Sequence, residues 1–208
     1  MQRSGIINKV KVRLDEITPD DEVTHPLDAL IDSLIDDASY MVCKFAPKGY
    51  FTPTQIDFAE QYVDTTNKKL YLAVPSEFVR LYKIKNDSWE YDVEDVIYEG
   101  SEAYQIAIDE NVGAGKGRPV VAVIHDEIDS TFGEYFEIWP LVYESGNSVS
   151  LDTTMTGSYI KKLKPEELNE RLIDALVWAS VELVTQSLEK TNVAQMAQAK
   201  FSEALSLL

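Results

Sequence analysis

Apolar residues return every three to four positions through both ends of this 208-residue chain, and closer to every second position through its middle. In residues 6–17, Ile7, Val10, Leu14 and Ile17 fall on one face of a helix, with Lys9, Lys11 and Arg13 on the other. The β-branched residues leave a strand as the alternative. The run TPDDEVTHP then breaks the pattern with two prolines and an acidic cluster, which predicts a loop. A second helix is expected to open at Pro26, capped by Thr24 or His25. Its stripe of Leu27, Leu30, Ile31, Leu34, Ile35, Ala38, Met41, Val42 and Phe45 ends before Pro47 and Gly49. A third helical pattern runs from Pro165 to Leu188. Leu168, Leu172, Leu176, Ala179 and Leu183 lie beside Ile173, Val177, Val181, Val184 and Leu188, so most of the girth is apolar. A surface helix shows one stripe, so this segment is expected at the centre of a bundle, with Asp174 and Glu182 reaching water along one edge. Lys190–Asn192 reads as a turn before a last amphipathic helix through Ala197, Phe201, Ala204 and Leu208. One long kinked helix is the alternative.

Residues 50–162 have a different texture, rich in aromatics, Thr and Val and punctuated by Pro and Gly. KLYLAVP, LYKIK, RPVVAVIHD and EYFEIWP read as strands. SEFVRL reads as a short helical turn. SEAYQIAI fits helix or strand. SVSLDTTMTGSYI reads as an extended arm or hairpin, and residues 145–159 lack the apolar content to fold alone, so they are expected to order against a neighbouring chain. The fold class that follows is α+β: a helical bundle built from residues 1–49 and 163–208, with a β-rich insertion at 50–162 between them.

Charge changes this picture more than any other compositional fact. There are 36 Asp and Glu against 19 Lys and Arg, a net of −17. Such a surface repels nucleic acid, because gripping phosphate needs Lys and Arg. Solubility explains the excess most simply; the sharper reading is a surface that lies near DNA without sticking to it. No apolar run reaches the ~18–20 residues of a membrane span, and charges interrupt residues 1–16 as no signal-peptide core allows. A protein that is soluble and intracellular when made is therefore expected. Cys43 is the one cysteine, so neither an internal disulfide nor a cysteine-based zinc site can form within a chain.

Candidate chemistry is sparse. GAGKG at Gly113–Gly117 has the look of a phosphate loop. A P-loop, however, needs four residues between its glycines and a helix after Gly-Lys-Ser/Thr, whereas Arg118-Pro119 lead into a strand. A hairpin tip is the expected structure, with Lys116 and Arg118 available to an acidic partner. His125-Asp126-Glu127 could serve acid–base or metal chemistry, but strand neighbours point to opposite faces and do not converge. Cys43 and Trp178 are expected in the core. Trp89 and Trp139 sit beside turns, as core residues or interface anchors. Asp28, Asp32 and Asp36 stand at i, i+4 and i+8 on the polar side of the second helix, with no Lys or Arg partner at i+4. Like charges at that spacing cost a few tenths of a kcal/mol per pair. A solvated face is the simple account, and an acidic ridge facing something outside the subunit is the functional one.

The succession of segments carries a resemblance that no single motif does. VKVRLDEIT is followed by the amphipathic PLDALIDSLIDDASYMVCKFAP and by LYLAVPSEFVRLYKIKNDSW. RPVVAVI, EYFEIWP, YIKKLKPEEL and finally DALVWASVELV come after. In this order, over nearly its full length, the chain resembles the head–tail connector proteins of tailed bacteriophages, the adaptor or ring proteins beneath the portal. It is most similar to the ring proteins of crAss-like short-tailed phages. The resemblance implies a helical core with a β-containing insertion, no enzymatic activity and no cofactor or metal. It implies a homo-oligomeric ring, usually of twelve copies, assembled in the host cytoplasm and carried in the virion neck. Its partners would be the portal, the tail and other ring proteins. DNA would pass through an acidic channel without specific binding, and Asp28, Asp32 and Asp36 are the residues expected to line it. The resemblance also implies docking on the portal through the C-terminal segment, here Lys190–Leu208, within which Val193, Ala197, Phe201, Ala204, Leu205 and Leu208 are expected to contact the portal, a neighbouring chain or another part of the bundle. The competing class is a small hydrolase or nucleotide-binding enzyme using GAGKG or the His125 region.

Overall fold

The structure is a computed structural model that describes residues 1–17, 27–109, 115, 117–128, 130–141, 143–145, 148–150 and 153–208. It has the α+β architecture expected from the periodicity. The loop at TPDDEVTHP, with the cap and Pro26, lies outside the described residues. Contacts group the chain into two compact units, Met1–Thr52 with Lys162–Leu208, and Pro53–Lys161.

The first unit is helical. Helix α1 spans Arg3–Ile17 and α2 spans Leu27–Phe45. Ile6, Val10 and Leu14 are buried on α1, one position removed from the face that would centre on Ile7. On α2 the buried stripe is Ile31, Ile35, Ala38 and Val42, with Cys43 beside it, while Phe45 is exposed. Helix α4 spans Ile173–Ser187 and packs against α1, α2 and the last helix, α5, Thr191–Ser206. Leu176, Val177, Ala179, Val181 and Val184 are buried, as the all-round apolar pattern predicts.

Two details of this segment differ from the periodicity. The stretch after Pro165 is not yet α-helix: it forms two 3-10 turns, Pro165–Glu167 and Glu170–Leu172, split at the extended Leu168. Side chains explain the delay. The Glu167 carboxylate accepts from the Lys164 N–H at 2.9 Å, and Asn169 Oδ1 accepts from the Arg171 N–H at 3.0 Å. Each closes a local turn in place of the helical ladder. The edge expected to reach water is also half wrong. Asp174 is exposed, but Glu182 is buried. Between α4 and α5, Glu189 takes the left-handed conformation (φ 59°) and Lys190 N–H returns to Thr185 O at 2.9 Å. This closes α4 and makes two helices rather than one kinked one.

Among the described residues the second unit holds ten strands and one helix. β1 (Thr54–Gln55), β10 (Met155–Lys161) and β4 (Phe78–Asn86) form an antiparallel sheet with β10 in the middle. The second sheet has the order β2 (Tyr62–Asp64), β3 (Lys69–Ala73), β7 (Thr131–Trp139), β6 (Val120–Ile128) and β5 (Ile97–Tyr98). A hairpin of β8 (Tyr143–Ser145) and β9 (Ser148–Ser150) completes the set. Two expectations are corrected here. SEFVRL is no helical turn: Phe78, Val79, Arg80 and Leu81 begin the long strand β4, since β-branched and aromatic residues fit a half-buried pleat. The expected arm is partly internal. Met155–Lys161 pairs with β4 on one edge and, at Tyr159 and Ser158, with β1 on the other, so this stretch already has its partners within the chain.

Both faces of the five-stranded sheet are covered. Val121, Val123, Phe136 and Ile138 point into a core shared with Leu81, Ile84 and Tyr159 of the three-stranded sheet. Their neighbours Ala122, Ile124, Tyr135 and Trp139 pack on the other face with Tyr104 and Ala107 of helix α3 (Glu102–Ile108). SEAYQIAI is thus helical. Ser101 caps it, its Oγ accepting from the Tyr104 N–H at 3.2 Å. Trp89 is buried and its indole N–H donates to Pro140 O at 2.9 Å, a core role.

Candidate functional site

The acidic side of α2 is met by α1. Lys11 Nζ lies 2.8 Å from Asp28 Oδ1. The Arg3 guanidinium donates to Asp32 Oδ1, to the Asp32 backbone carbonyl at 2.7 Å, and to both oxygens of Asp36 at 3.0 and 3.2 Å. Arg3 and Lys11 stand eight residues apart, as do Asp28 and Asp36, so both spans are about 12 Å. The order of the pairs is reversed along the two helices, which therefore run antiparallel. Hydrogen bonds from Arg3 hold the Asp36 carboxyl below its ordinary value, and Asp32 and Asp36 push the guanidinium further up. The carboxylates have no Lys or Arg at i+4 on their own helix, yet they are not unpartnered. The like-charge strain that motivated a use outside the subunit is relieved inside it, while half or more of each carboxylate side chain still faces solvent.

The C-terminal residues divide. Ala197, Phe201 and Ala204 are buried, and α5 packs along α4, so these three meet another part of the bundle. The Phe201 ring meets Phe45 edge-on with centroids 6.5 Å apart. Val193, Leu205 and Leu208 are half-buried, and the Leu208 carbonyl accepts from the Tyr50 hydroxyl. The exposed apolar residues of this segment are Met196 and Leu207, which the helical stripe did not single out.

Of GAGKG, Gly113, Ala114 and Lys116 lie outside the described residues. Gly115 and Arg118 exchange two backbone hydrogen bonds, 3.1 and 2.7 Å, in a tight turn that runs into β6. Strand β6 rather than a helix follows, so no helix N-terminus offers its N–H groups and dipole to a phosphate after this turn. His125 is exposed on β6. Its Nε2 is 2.9 Å from Glu134 on β7 and its backbone N–H donates to Glu99 Oε2 at 3.1 Å. Among the described residues no Ser, Thr or Cys side chain is shown bonded to this pair. Among the described residues no group of three or more His, Cys, Asp and Glu could hold a metal ion, and no helix is long and apolar enough to cross a membrane.

The structure gathers one polar cluster that the linear pattern hid. Glu137 is buried on β7. Its Oε1 accepts from Lys69 Nζ at 2.6 Å and the Tyr71 hydroxyl at 3.0 Å, and its Oε2 accepts from the Tyr104 hydroxyl at 3.0 Å. Lys69 Nζ also stands 4.8 Å from the centre of the Trp139 ring. Burial, then the charge of Glu137, pushes both phenols up, so they stay protonated donors. With every oxygen bonded, the cluster ties α3, β3 and β7 together. The residues come from three separated segments, and alternation reads Glu137 as an ordinary strand position.

Comparison with protein-family models finds none that matches the sequence, and comparison with curated proteins finds no match either.

Proposed function

We propose that the chain is a structural subunit of a phage head-to-tail connector. It would form a ring below the portal that extends the DNA channel and docks the tail. The observation that carries the reading is the succession of sequence segments, from VKVRLDEIT through RPVVAVI and EYFEIWP to DALVWASVELV. Two features support it. A helical unit drawn from both ends of the chain brackets a β-rich unit. The net charge of −17 suits a wall that moving DNA does not stick to.

In this reading the subunits meet head to tail, through two different surfaces on each copy, as closed rings require. Portal docking through α5 falls to side chains not consumed by α4: the half-buried Val193, Leu205 and Leu208, with exposed Met196 and Leu207. Lining of the bore by Asp28, Asp32 and Asp36 acts on DNA only within the ~8 Å reach of a charge at physiological salt. The solvent-facing sides of these carboxylates are the parts available for it.

Native mass spectrometry of the purified chain, with and without portal protein, tests the proposal. A ring-sized species, or one formed on adding portal, is the expected result. A monomer that ignores portal under all conditions overturns it.

A further inference from the structure

Beside the edge of the five-stranded sheet lies a cleft of about 600 Å³, within the ~300–1,000 Å³ range of small-ligand sites. Its walls include three tyrosines, Tyr62, Tyr71 and Tyr135, and its lining includes Asp57, Glu60 and Gln61. The rings of Tyr62 and Tyr71 are 6.2 Å apart and tilted by 39°. Two of the phenols are tethered elsewhere. Tyr71 donates to Glu137 at 3.0 Å and Tyr135 donates to Thr131 O at 2.8 Å. These two therefore offer the cleft their rings rather than their hydroxyls. Tyr62 is 46% exposed.

The polar groups of this cleft are acceptors in want of donors. Asp57 Oδ1 accepts from the Ala59 N–H at 2.9 Å, which leaves its second oxygen open. Among the described residues no lysine or arginine pairs with Asp57 or Glu60. Electron-rich tyrosine rings and two carboxylates without a Lys or Arg partner among the described residues converge on one ligand chemistry: a planar cation with several N–H donors.

We propose that this cleft binds a guanidinium group, packed against the tyrosine rings and hydrogen-bonded to Asp57 and Glu60. A guanidinium fits better than an ammonium ion because it is flat, weakly hydrated and presents five donors in a rigid fork. The group comes either from an arginine side chain of a polypeptide or from a free small cation. The inference stands independently of the connector proposal.

Saturation-transfer NMR on the full chain tests it, with acetyl-Gly-Arg-Gly-amide, the citrulline counterpart of that peptide, and agmatine as probes. Saturable binding of the arginine peptide is expected, with the neutral citrulline peptide at least about tenfold weaker. Tyr62→Ala and Glu60→Gln should each weaken it about three- to tenfold, the effect of losing one cation–ring or one charge contact. Glu166→Gln, on the exposed 3-10 turn of the helical unit, should change nothing. Tighter binding of the peptide than of agmatine identifies a polypeptide source, and the reverse order a free cation. No saturable signal overturns the proposal. So does citrulline binding as well as arginine, or Glu166→Gln weakening binding as much as Glu60→Gln, since attraction would then be to the net charge. Should Tyr62→Ala fail to fold, Glu60→Gln alone decides.

Discussion

Glu182 is the side chain most at odds with its surroundings. It is 4% exposed on α4, and Gln186 Nε2 donates to its Oε1 at 3.0 Å while Oε2 has no partner. Burial pushes its carboxyl up from the ordinary 4.5, the Gln186 bond offsetting part of this. A raised folded-state value means that the folded chain holds the proton more tightly than the unfolded one. The associated stability is complete below the unfolded value and is lost as pH rises through the folded one. Glu182→Met keeps the shape and removes the ionisable group. It should stabilise the protein by ~1–3 kcal/mol at pH 8, where the unpartnered oxygen costs most, and by less at pH 4. Urea unfolding at both pH values checks this, and an equal gain at each would show that ionisation plays no part. Asp36 has the opposite sign. Its lowered carboxyl contributes stability above the unfolded value, which is lost as the solution is acidified. A second residue under constraint is Gly157, in the middle strand β10. A Cβ there would stand 2.8 Å from Ile84 Cγ1 and 3.1 Å from Ile56 Cδ1. Ile84 is fully buried and cannot swing aside, so Gly157→Ala should cost ~1–3 kcal/mol by overpacking, read from the shift in the urea midpoint.

At the level of elements, α5 is a structural member of the helical unit before it is anything else. Phe201 is 5% exposed and sits with Ala197 and Ala204 on the side buried toward α4. Phe201→Ala should cost ~3–5 kcal/mol, from lost transfer energy and the cavity left behind. Truncation after Glu189 should strip α4 of a packed neighbour and lower the thermal midpoint steeply. Circular dichroism melts of the two variants settle this. A truncated chain that melts like the intact one would mean that α5 adds nothing to the core. The α1–α2 pairing is a weaker tie. The Arg3 and Lys11 bridges are solvent-accessible, and such pairs are worth ~0–1 kcal/mol and fade with salt.

For the whole molecule, the β-rich unit has its two ends side by side. Thr54 pairs with Tyr159 and Gln55 with Ser158, so the chain enters and leaves this unit through adjacent strands. A fragment covering residues 53–161 should fold alone, because its strands, both cores and the Glu137 cluster are all internal to it. The complementary protein, with Thr52 joined to Lys162 by a short glycine–serine linker, should keep its helical spectrum. Far-UV circular dichroism and cooperative melting of both pieces provide the measurement. A fragment without a cooperative transition would show that the units depend on each other.

Much of the fold was legible in the linear pattern, and the reason is local. Periodicity of 3.6 or 2 reports which face of an element is buried, so the helices of the two ends, the central place of α4 and strands such as β6 and β7 follow from residue spacing alone. Composition likewise excludes a cysteine zinc site and weighs against a nucleic-acid-gripping surface. What spacing cannot encode is the identity of the neighbour. Arg3 and Asp36 are joined because α1 lies antiparallel to α2. Lys69, Tyr71, Tyr104 and Glu137 meet because β3 and β7 pair and α3 covers that face. Glu182 looks like a solvent edge until the tertiary packing buries it. Phe201 reads equally well as an anchor for a partner or for the chain's own core, since an apolar stripe is the same in both. The tyrosine cleft joins Tyr62, Tyr71 and Tyr135 from three strands, and its unfilled acceptors exist only once those strands are in register. Burial and partnership are properties of the assembled sheets and helices, and so they were decided by the tertiary structure.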